Sequence, residues 1–263
     1  MKISLKNQKE IKLMRIAGQI TANVLEMITN YVQPQTSTNE INLLCHRYIT
    51  EKRKSIPACL GYLNFPKSIC ISINDVVCHG IPDKNTFLME GDIVNIDVAI
   101  IKDGYYSDAS KMFFVGKVNQ KKKKICEIAK KSLYIALKNI KPGIPISIIG
   151  KSIQNYVQKS RFSIVKEYCG HGIGKNFHEL PQVLHYENSD HDTILKPGMT
   201  FTIEPMINEK SSDVYCCSDG WTVKTKDNGL SAQYEHTILV TDTGCEIFTL
   251  QKDENIPKIF INS

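Results

Sequence analysis

Four acids and one imidazole stand out in this 263-residue chain by where they fall: Asp97, Asp108, Glu204 and Glu235, with His171 between the two pairs. Asp97 closes the stretch Glu90-Gly91-Asp92-Ile93-Val94-Asn95-Ile96-Asp97, and Glu204 closes Pro197-Gly198-Met199-Thr200-Phe201-Thr202-Ile203-Glu204. In both, a turn glycine opens a strand-like run that ends in a carboxylate. Alternation along a strand puts Asn95, Asp97 and Ala99 on one face and Ile96, Val98 and Ile100 on the other. Carboxylates gathered on one face of an otherwise apolar sheet repel one another, and burying them uncompensated costs several kcal/mol. A cation is the simplest remedy. A lone Asp or Glu is ordinarily a solvated strand residue, but solvation does not explain acids that coincide in two copies of one pattern. An oxygen-rich set with one imidazole suits Mn, Fe or Co better than a thiolate-rich structural zinc, and its surplus of carboxylates suits two bridged ions. Two ions roughly 3.5 to 4 Å apart lower the pKa of a shared water and clamp the tetrahedral species its attack creates. That is hydrolytic chemistry.

The elements that must place these residues also recur. Apolar periodicity predicts a helix over Ile11–Tyr31, running into Val32-Gln33-Pro34-Gln35, and a second helical stretch over Ile41–Ile49. The later half repeats the order, with Ile125–Ile140 running into Lys141-Pro142-Gly143 and then a helical stretch over Ile148–Val157. Each acid-tipped strand has a partner further on, Tyr106–Val115 and Gln233–Val240, with Asp108 and Glu235 near the starts. Upstream of each hairpin a strand-like segment ends in His-Gly, as Cys78-His79-Gly80 and Gly170-His171-Gly172. Asp97 and Asp108 flank the turn signal Lys102-Asp103-Gly104. A loop with an even number of residues sets them directly or diagonally opposite; an odd one requires a bulge. The parity argument is weaker for Glu204 and Glu235, which the insertion Ile207–Leu230 separates. The expected fold is therefore α/β (α+β), a pseudo-twofold pair of halves, about 1–120 and 121–263, with antiparallel strands inside and helices outside. The length suits one sizeable core, read here as a single catalytic domain over 1–263.

Composition narrows the setting. Nine cysteines, Cys45, Cys59, Cys70, Cys78, Cys126, Cys169, Cys216, Cys217 and Cys245, are odd in number and lack zinc-ribbon spacing, which fits reduced thiols rather than a disulfide framework. The formal charge is +6. The run Lys121–Lys124, with Lys130 and Lys131, reads as a solvated helix start and leaves room for weak, transient association with an RNA surface such as the ribosome. Lys2, Lys6, Lys9 and Glu10 interrupt the N-terminal apolar residues, so no signal peptide is read there, and no segment approaches the apolar length of a membrane span. A monomeric, cytoplasmic protein without DNA or membrane partners is expected.

At these residues the sequence resembles the bacterial type I methionine aminopeptidases over nearly its whole length. The resemblance is carried by Met14-Arg15-Ile16-Ala17-Gly18, by Tyr168-Cys169-Gly170-His171-Gly172-Ile173-Gly174, by Lys196 to Met206, and by Asp219-Gly220-Trp221-Thr222-Val223-Lys224-Thr225. It implies the pita-bread fold and two divalent ions (Fe, Co or Mn), one held by Asp97, Asp108 and Glu235, the other by Asp108, His171, Glu204 and Glu235. It further implies a bridging water that attacks the first peptide bond, with Glu204 as general base, His178 stabilising the scissile carbonyl and His79 near the peptide nitrogen. Judged alone, either histidine is more often structural. A methionine pocket is implied at Cys59, Tyr62, Phe65, Cys70, Phe177 and Trp221, where sulfur and aromatic walls suit an unbranched thioether. A monovalent-cation site is implied at Asn74, Val76 and Ser231. The implied substrates are nascent polypeptides with N-terminal methionine and a small second residue. Ala99 lacks the hydroxyl expected beside the first aspartate, and Leu63 and Phe65 replace more polar side chains.

Two other readings compete. Proline-specific pita-bread aminopeptidases carry an additional N-terminal domain, for which a first helix beginning by Ile11 leaves no room. A non-catalytic peptide-binding module of the same fold would have lost its ligands, as would a metal-free creatine hydrolase; all five are retained here.

Overall fold

Residues 3–188 and 193–261 are described in the computed structural model; residues 1–2, 189–192 and 262–263 of the expected 1–263 domain lie outside them. Helix α1 (Gln8–Ile28) starts at a capping box: Asn7 accepts from the backbone N–H groups of Lys9 and Glu10, and Glu10 accepts from the Asn7 N–H. Its apolar stripe, including Ala17, Val24, Leu25 and Ile28, packs with Ile96, Val98 and Ile100 in one buried cluster. Those three are the face of the Asp97 strand opposite the acids. Burying each aliphatic side chain contributes roughly 1.5 to 3 kcal/mol, which holds the strand against the helix. The last turn tightens into a 3-10 segment, Thr29–Tyr31, before Pro34. Helix α2 (Thr38–Arg47) follows, capped by Ser37. Helices α3 (Gln120–Lys138) and α4 (Ser147–Lys159) repeat the order in the second half. The Lys121–Lys124 run opens α3, where the helix dipole disfavours cations. Lys121 is offset there by Glu209, and Lys122 donates to the Gly91 carbonyl.

In the first half the Ile93–Lys102 strand pairs antiparallel with Tyr105–Phe114 across the two-residue turn Asp103-Gly104, both at positive φ (50° and 80°) as a tight hairpin turn requires. The loop is even. Asp97 stands opposite Ser110 and Ala99 opposite Asp108, so the two aspartates are diagonal neighbours on one face. On the other edge the Cys70–Ile73 strand puts Cys70 beside Asp97. In the second half the Thr200–Ile203 strand pairs with His236–Val240, and the ladder ends at Ile203 with His236. Glu204 and Glu235 are the next residues on the two chains. The Gly170–Gly172 strand joins the other edge of Thr200–Ile203.

This is the pita-bread arrangement, with two departures from the expected repeat. The strand read as Gln233–Val240 is broken at Tyr234 and Glu235, and Ser231–Gln233 pairs instead with Met206–Asn208 in a different sheet. The Ile207–Leu230 insertion that separates the two acids is itself ordered, carrying the Val214–Cys216 and Val223–Thr225 strands. The His79 segment, Val76–Cys78, pairs with Val223–Thr225 rather than with its own half's hairpin, as Gly170–Gly172 does. No helix among the described residues is long and apolar enough to cross a membrane.

A buried polar network braces the start of the His236–Val240 strand, next to Glu235. His236 holds Thr249 Oγ1 through Nδ1 (2.9 Å) and Glu254 Oε1 through Nε2 (3.2 Å), while Tyr134 donates to Glu254 and the Gln251 N–H donates to Glu254 Oε2. Burial pushes the Glu254 carboxyl up, but His236, Tyr134 and the Gln251 N–H together bring it down to about 2. A depressed folded-state pKa stabilises above the unfolded value and loses that contribution as pH falls through the folded one. Glu254→Gln is therefore expected to cost about 3 kcal/mol at pH 7, and the gap to the parent is expected to close as pH falls from about 4.5 towards 2. Denaturant melts of both proteins at pH 7 and pH 3 check this, and a gap independent of pH contradicts it.

Candidate metal centre and substrate cavity

The two hairpins and the Gly170–Gly172 strand bring all five expected ligands to one cavity of about 590 Å³, whose lining includes Asp97, Asp108, His171, Glu204 and Glu235. Ligand atoms of Asp108, His171 and Glu235 all lie within 4.8 Å of one another. His171 Nε2 is 4.0 Å from Asp108 Oδ2 and 3.8 Å from Glu204 Oε1. Its Nδ1 lies 3.0 Å from the Gly172 carbonyl, so the proton sits on Nδ1 and the Nε2 lone pair faces the carboxylates. That is the tautomer a metal ligand needs. The flanking glycines have a packing reason: a Cβ on Gly170 would come within 2.3 Å of Thr202 O, and one on Gly172 within 2.2 Å of Leu180 O. Only a backbone without side chains lets the His171 strand lie this close to its neighbours.

The electrostatics are those of a cation site. Burial raises Asp97 to about 6 and Glu204 to about 8, with Asp97 adding repulsion at Glu204. Asp108 and Glu235 are pushed well above the usual carboxylate range by burial and then by neighbouring acids, Asp97 acting on Asp108 and Asp108 on Glu235. Asp97 Oδ1, Asp108 Oδ1 and Glu235 Oε1 are buried without a hydrogen-bond partner. Burial first, and His178 second, holds His171 down at about 3, a neutral donor. Orphaned oxygens beside a neutral imidazole fit hard divalent ions.

Four residues missed by sequence reasoning support the cluster. Thr202 Oγ1 donates to Glu204 Oε1 (2.8 Å) and Gln233 Nε2 to Glu204 Oε2 (3.2 Å). The Glu204 N–H donates to Nε2 of His185 (3.1 Å), and Thr237 Oγ1 donates to the Asp108 carbonyl (2.7 Å). Thr202 stands two positions before Glu204 and Gln233 two before Glu235, so strand alternation carried a signal for both. His185 and Thr237 had none.

The expected pocket residues also come together. Cys59, Phe65, Cys70 and Phe177 form a buried cluster with Tyr62 and Trp221 against it, and Ala99 packs beneath them. Phe65 meets Trp221 edge to face at 5.1 Å, which explains an apolar ring at that position. His178 and His79 both line the cavity. The Tyr62 hydroxyl lies 2.8 Å from His178 Nδ1, and His79 packs against Tyr168 and Trp221. Burial lowers His79 to about 4 and also lowers His178, leaving both rings neutral near pH 7. Away from the cavity, the Ser231 N–H donates to the Asn74 carbonyl at 2.8 Å, Val76 lies two residues further on, and Ser231 Oγ and its cross-strand neighbour Asn208 Oδ1 are buried without partners.

Carboxylates buried on two hairpins, with a histidine from the adjoining strand, opening on an apolar pocket, define a metal-dependent hydrolase. The sequence model of metallopeptidase family M24 matches residues 12–242. A methionine aminopeptidase of Buchnera aphidicola from Acyrthosiphon pisum is 62% identical over 258 residues, covering 98% of both chains. That of Escherichia coli K12 is 57% identical over 259 residues, again covering 98% of each. The crystal structure of methionine aminopeptidase from Rickettsia prowazekii superposes with a TM-score of 0.92 at 47% identity, covering 95% of this chain and all (100%) of that one. The chain belongs to metallopeptidase family M24, in its methionine aminopeptidase group of metallo-exopeptidases. Membership implies divalent metal ions, which the donor set fits.

Raised carboxyl pKa values destabilise the metal-free fold as pH climbs, because their contribution is full below the unfolded value near 4 and is lost through the folded values, about 6 for Asp97 and about 8 for Glu204. Metal-free protein is therefore expected to melt at lower temperature at pH 8 than at pH 5. Mn or Co should reverse the loss and release protons on binding. Calorimetry in buffers of different ionisation enthalpy measures the release; binding without it contradicts the account.

Proposed function

We propose that the protein removes the initiator methionine from nascent cytoplasmic polypeptides whose second residue is small, and that it acts as a monomer with at most transient ribosome contact. The observation that carries the proposal is the adjacency of pocket and cluster: Cys70, a wall of the thioether pocket, is the cross-strand neighbour of Asp97. A methionine side chain seated between Cys59, Cys70 and the Phe65, Phe177 and Trp221 rings leaves its own carbonyl at the carboxylates. Asp97, Asp108 and Glu235 would hold one divalent ion and Asp108, His171, Glu204 and Glu235 the other. When bound, such ions supply an acidic water and polarise the carbonyl.

The chain's own residues do the rest. Glu204, oriented by Thr202 and Gln233, takes the proton of the attacking water at a carboxylate oxygen and returns it to the departing amine. Tyr62 donates to His178 Nδ1, which leaves the His178 Nε2 proton free to bond the oxyanion as it forms. Burial raises the Tyr62 pKa, so the phenol keeps its proton. His79, neutral and packed on Trp221, supports the peptide nitrogen. Tyr168 and Met206 line the same cavity, so a bulky second side chain competes with them for space. The orphaned oxygens of Ser231 and Asn208 support a monovalent cation near Asn74 and Val76. Unpaired buried carboxylates argue against a non-catalytic binding module, which would have no reason to keep them.

With added Co or Mn the protein is expected to release methionine from Met-Ala-Ser and at least tenfold less readily from Met-Lys-Ser, a ratio that corresponds to roughly 1.4 kcal/mol or more. Release from neither peptide across several metals favours the binding module. Glu204→Gln is expected to lower kcat by a factor of about 100 to 10,000 with the fold retained. Near-parental kcat in that variant removes Glu204 as the base.

A further inference from the structure

Two leucines at the mouth of the cavity belong neither to the core nor to the cluster. Leu63 is 71% exposed and Leu180 is 42% exposed, and both line the cavity that holds the carboxylates. Leu63 is disfavoured twice. Its backbone is left-handed (φ 44°, ψ 39°), a conformation in which a branched side chain is held only by its surroundings. The hold is a ring of backbone bonds: Gly61 N–H to Phe65 O (2.9 Å), Phe65 N–H to Tyr62 O (2.8 Å) and Asn64 N–H to Gly61 O (3.2 Å). The loop so formed presents the leucine to water. Asn or Gly at this position would relieve both penalties, so an apolar side chain there calls for an apolar partner arriving from outside.

Leu180 stands two residues beyond His178 in the Glu179–Val183 strand, and the exposure of residues 178, 180 and 182 alternates with the burial of 181 and 183. His178 and Leu180 both line the cavity. The 2.8 Å contact of the Tyr62 hydroxyl with His178 Nδ1 ties the Leu63 loop to the Leu180 strand across the opening. The occupant follows from the geometry of an extended peptide, which advances about 3.3 Å per residue with side chains on alternate sides. With methionine in its pocket and the scissile bond at the carboxylates, the second side chain faces the cavity wall. The third, on the other side of the strand, is the first to reach the mouth.

We infer that Leu63 and Leu180 form an apolar clamp on the side chain of the substrate's third residue, giving a preference for aliphatic residues at that position. The inference rests on the aminopeptidase reading above and extends it by one subsite. Met-Ala-Leu-Ser and Met-Ala-Asn-Ser differ at the third residue by near-isosteric side chains, one apolar and one polar. The leucine peptide is expected to have a kcat/KM about fivefold higher, the size expected for partial burial of one aliphatic side chain, with the difference in KM because the contact is made equally in ground and transition states. In the double variant Leu63→Asn, Leu180→Gln the ratio should fall to about one. Leu63→Asn alone, which suits the left-handed backbone, should fall between. A parent ratio near one, or a ratio that survives in both variants, overturns the clamp. Equal release from both peptides removes the clamp alone, whereas release from neither removes the aminopeptidase reading and the clamp with it.

Discussion

Mutual repulsion among four buried carboxylates is the constraint on which the rest of the structure depends. Asp97, Asp108, Glu204 and Glu235 each lie where burial raises the cost of charge, and each adds to or feels that cost through a neighbour. Left alone the arrangement works against folding, because an unpaired buried ion costs several kcal/mol. The surrounding fold opposes it from outside the site. Helix α1 packs on the far face of the Asp97 strand. The His236, Glu254 and Tyr134 network braces the strand that begins next to Glu235, and glycines at 170 and 172 let the His171 strand close on its neighbours. Structural energy is spent to hold groups apart from water and close to each other, which is the condition under which divalent ions bind tightly and a bound water becomes acidic.

Much of this was legible in the sequence, and the reasons are specific. The paired carboxylates were readable because strand periodicity is strict and Lys102-Asp103-Gly104 signals a turn; the parity of the loop stayed open, and only the two-residue turn seen in the structure makes Asp97 and Asp108 diagonal neighbours. Helices α1 to α4 followed from apolar spacing, but the first three begin earlier than that spacing marks, at the Asn7, Ser37 and Asn119 caps. The second hairpin was less legible. A run such as Gln233 to Val240 carries no mark of where one sheet ends and another begins, and the break at Tyr234 and Glu235 is set by pairing with the distant Met206–Asn208 strand. His185 was invisible for the same reason, since its contact with the Glu204 N–H depends on a fold-level approach and no local pattern announces it.

The residues that depart from the family resemblance sort by depth. Phe65 is a wall of the pocket, packed on Trp221, and Ala99 belongs to the same buried cluster, so both serve the apolar pocket. Leu63 lies at the surface in a strained backbone, where packing gives no reason for its identity.

The cluster is proposed as a two-ion site whose donors divide, Asp97 to one ion, His171 and Glu204 to the other, Asp108 and Glu235 between them. Anomalous diffraction from crystals of the protein loaded with Mn or Co tests it most directly. Two peaks roughly 3.5 to 4 Å apart are expected, both within bonding distance of Asp108 and Glu235. A single peak at saturating metal, or a second ion that Asp108 and Glu235 do not share, would contradict it.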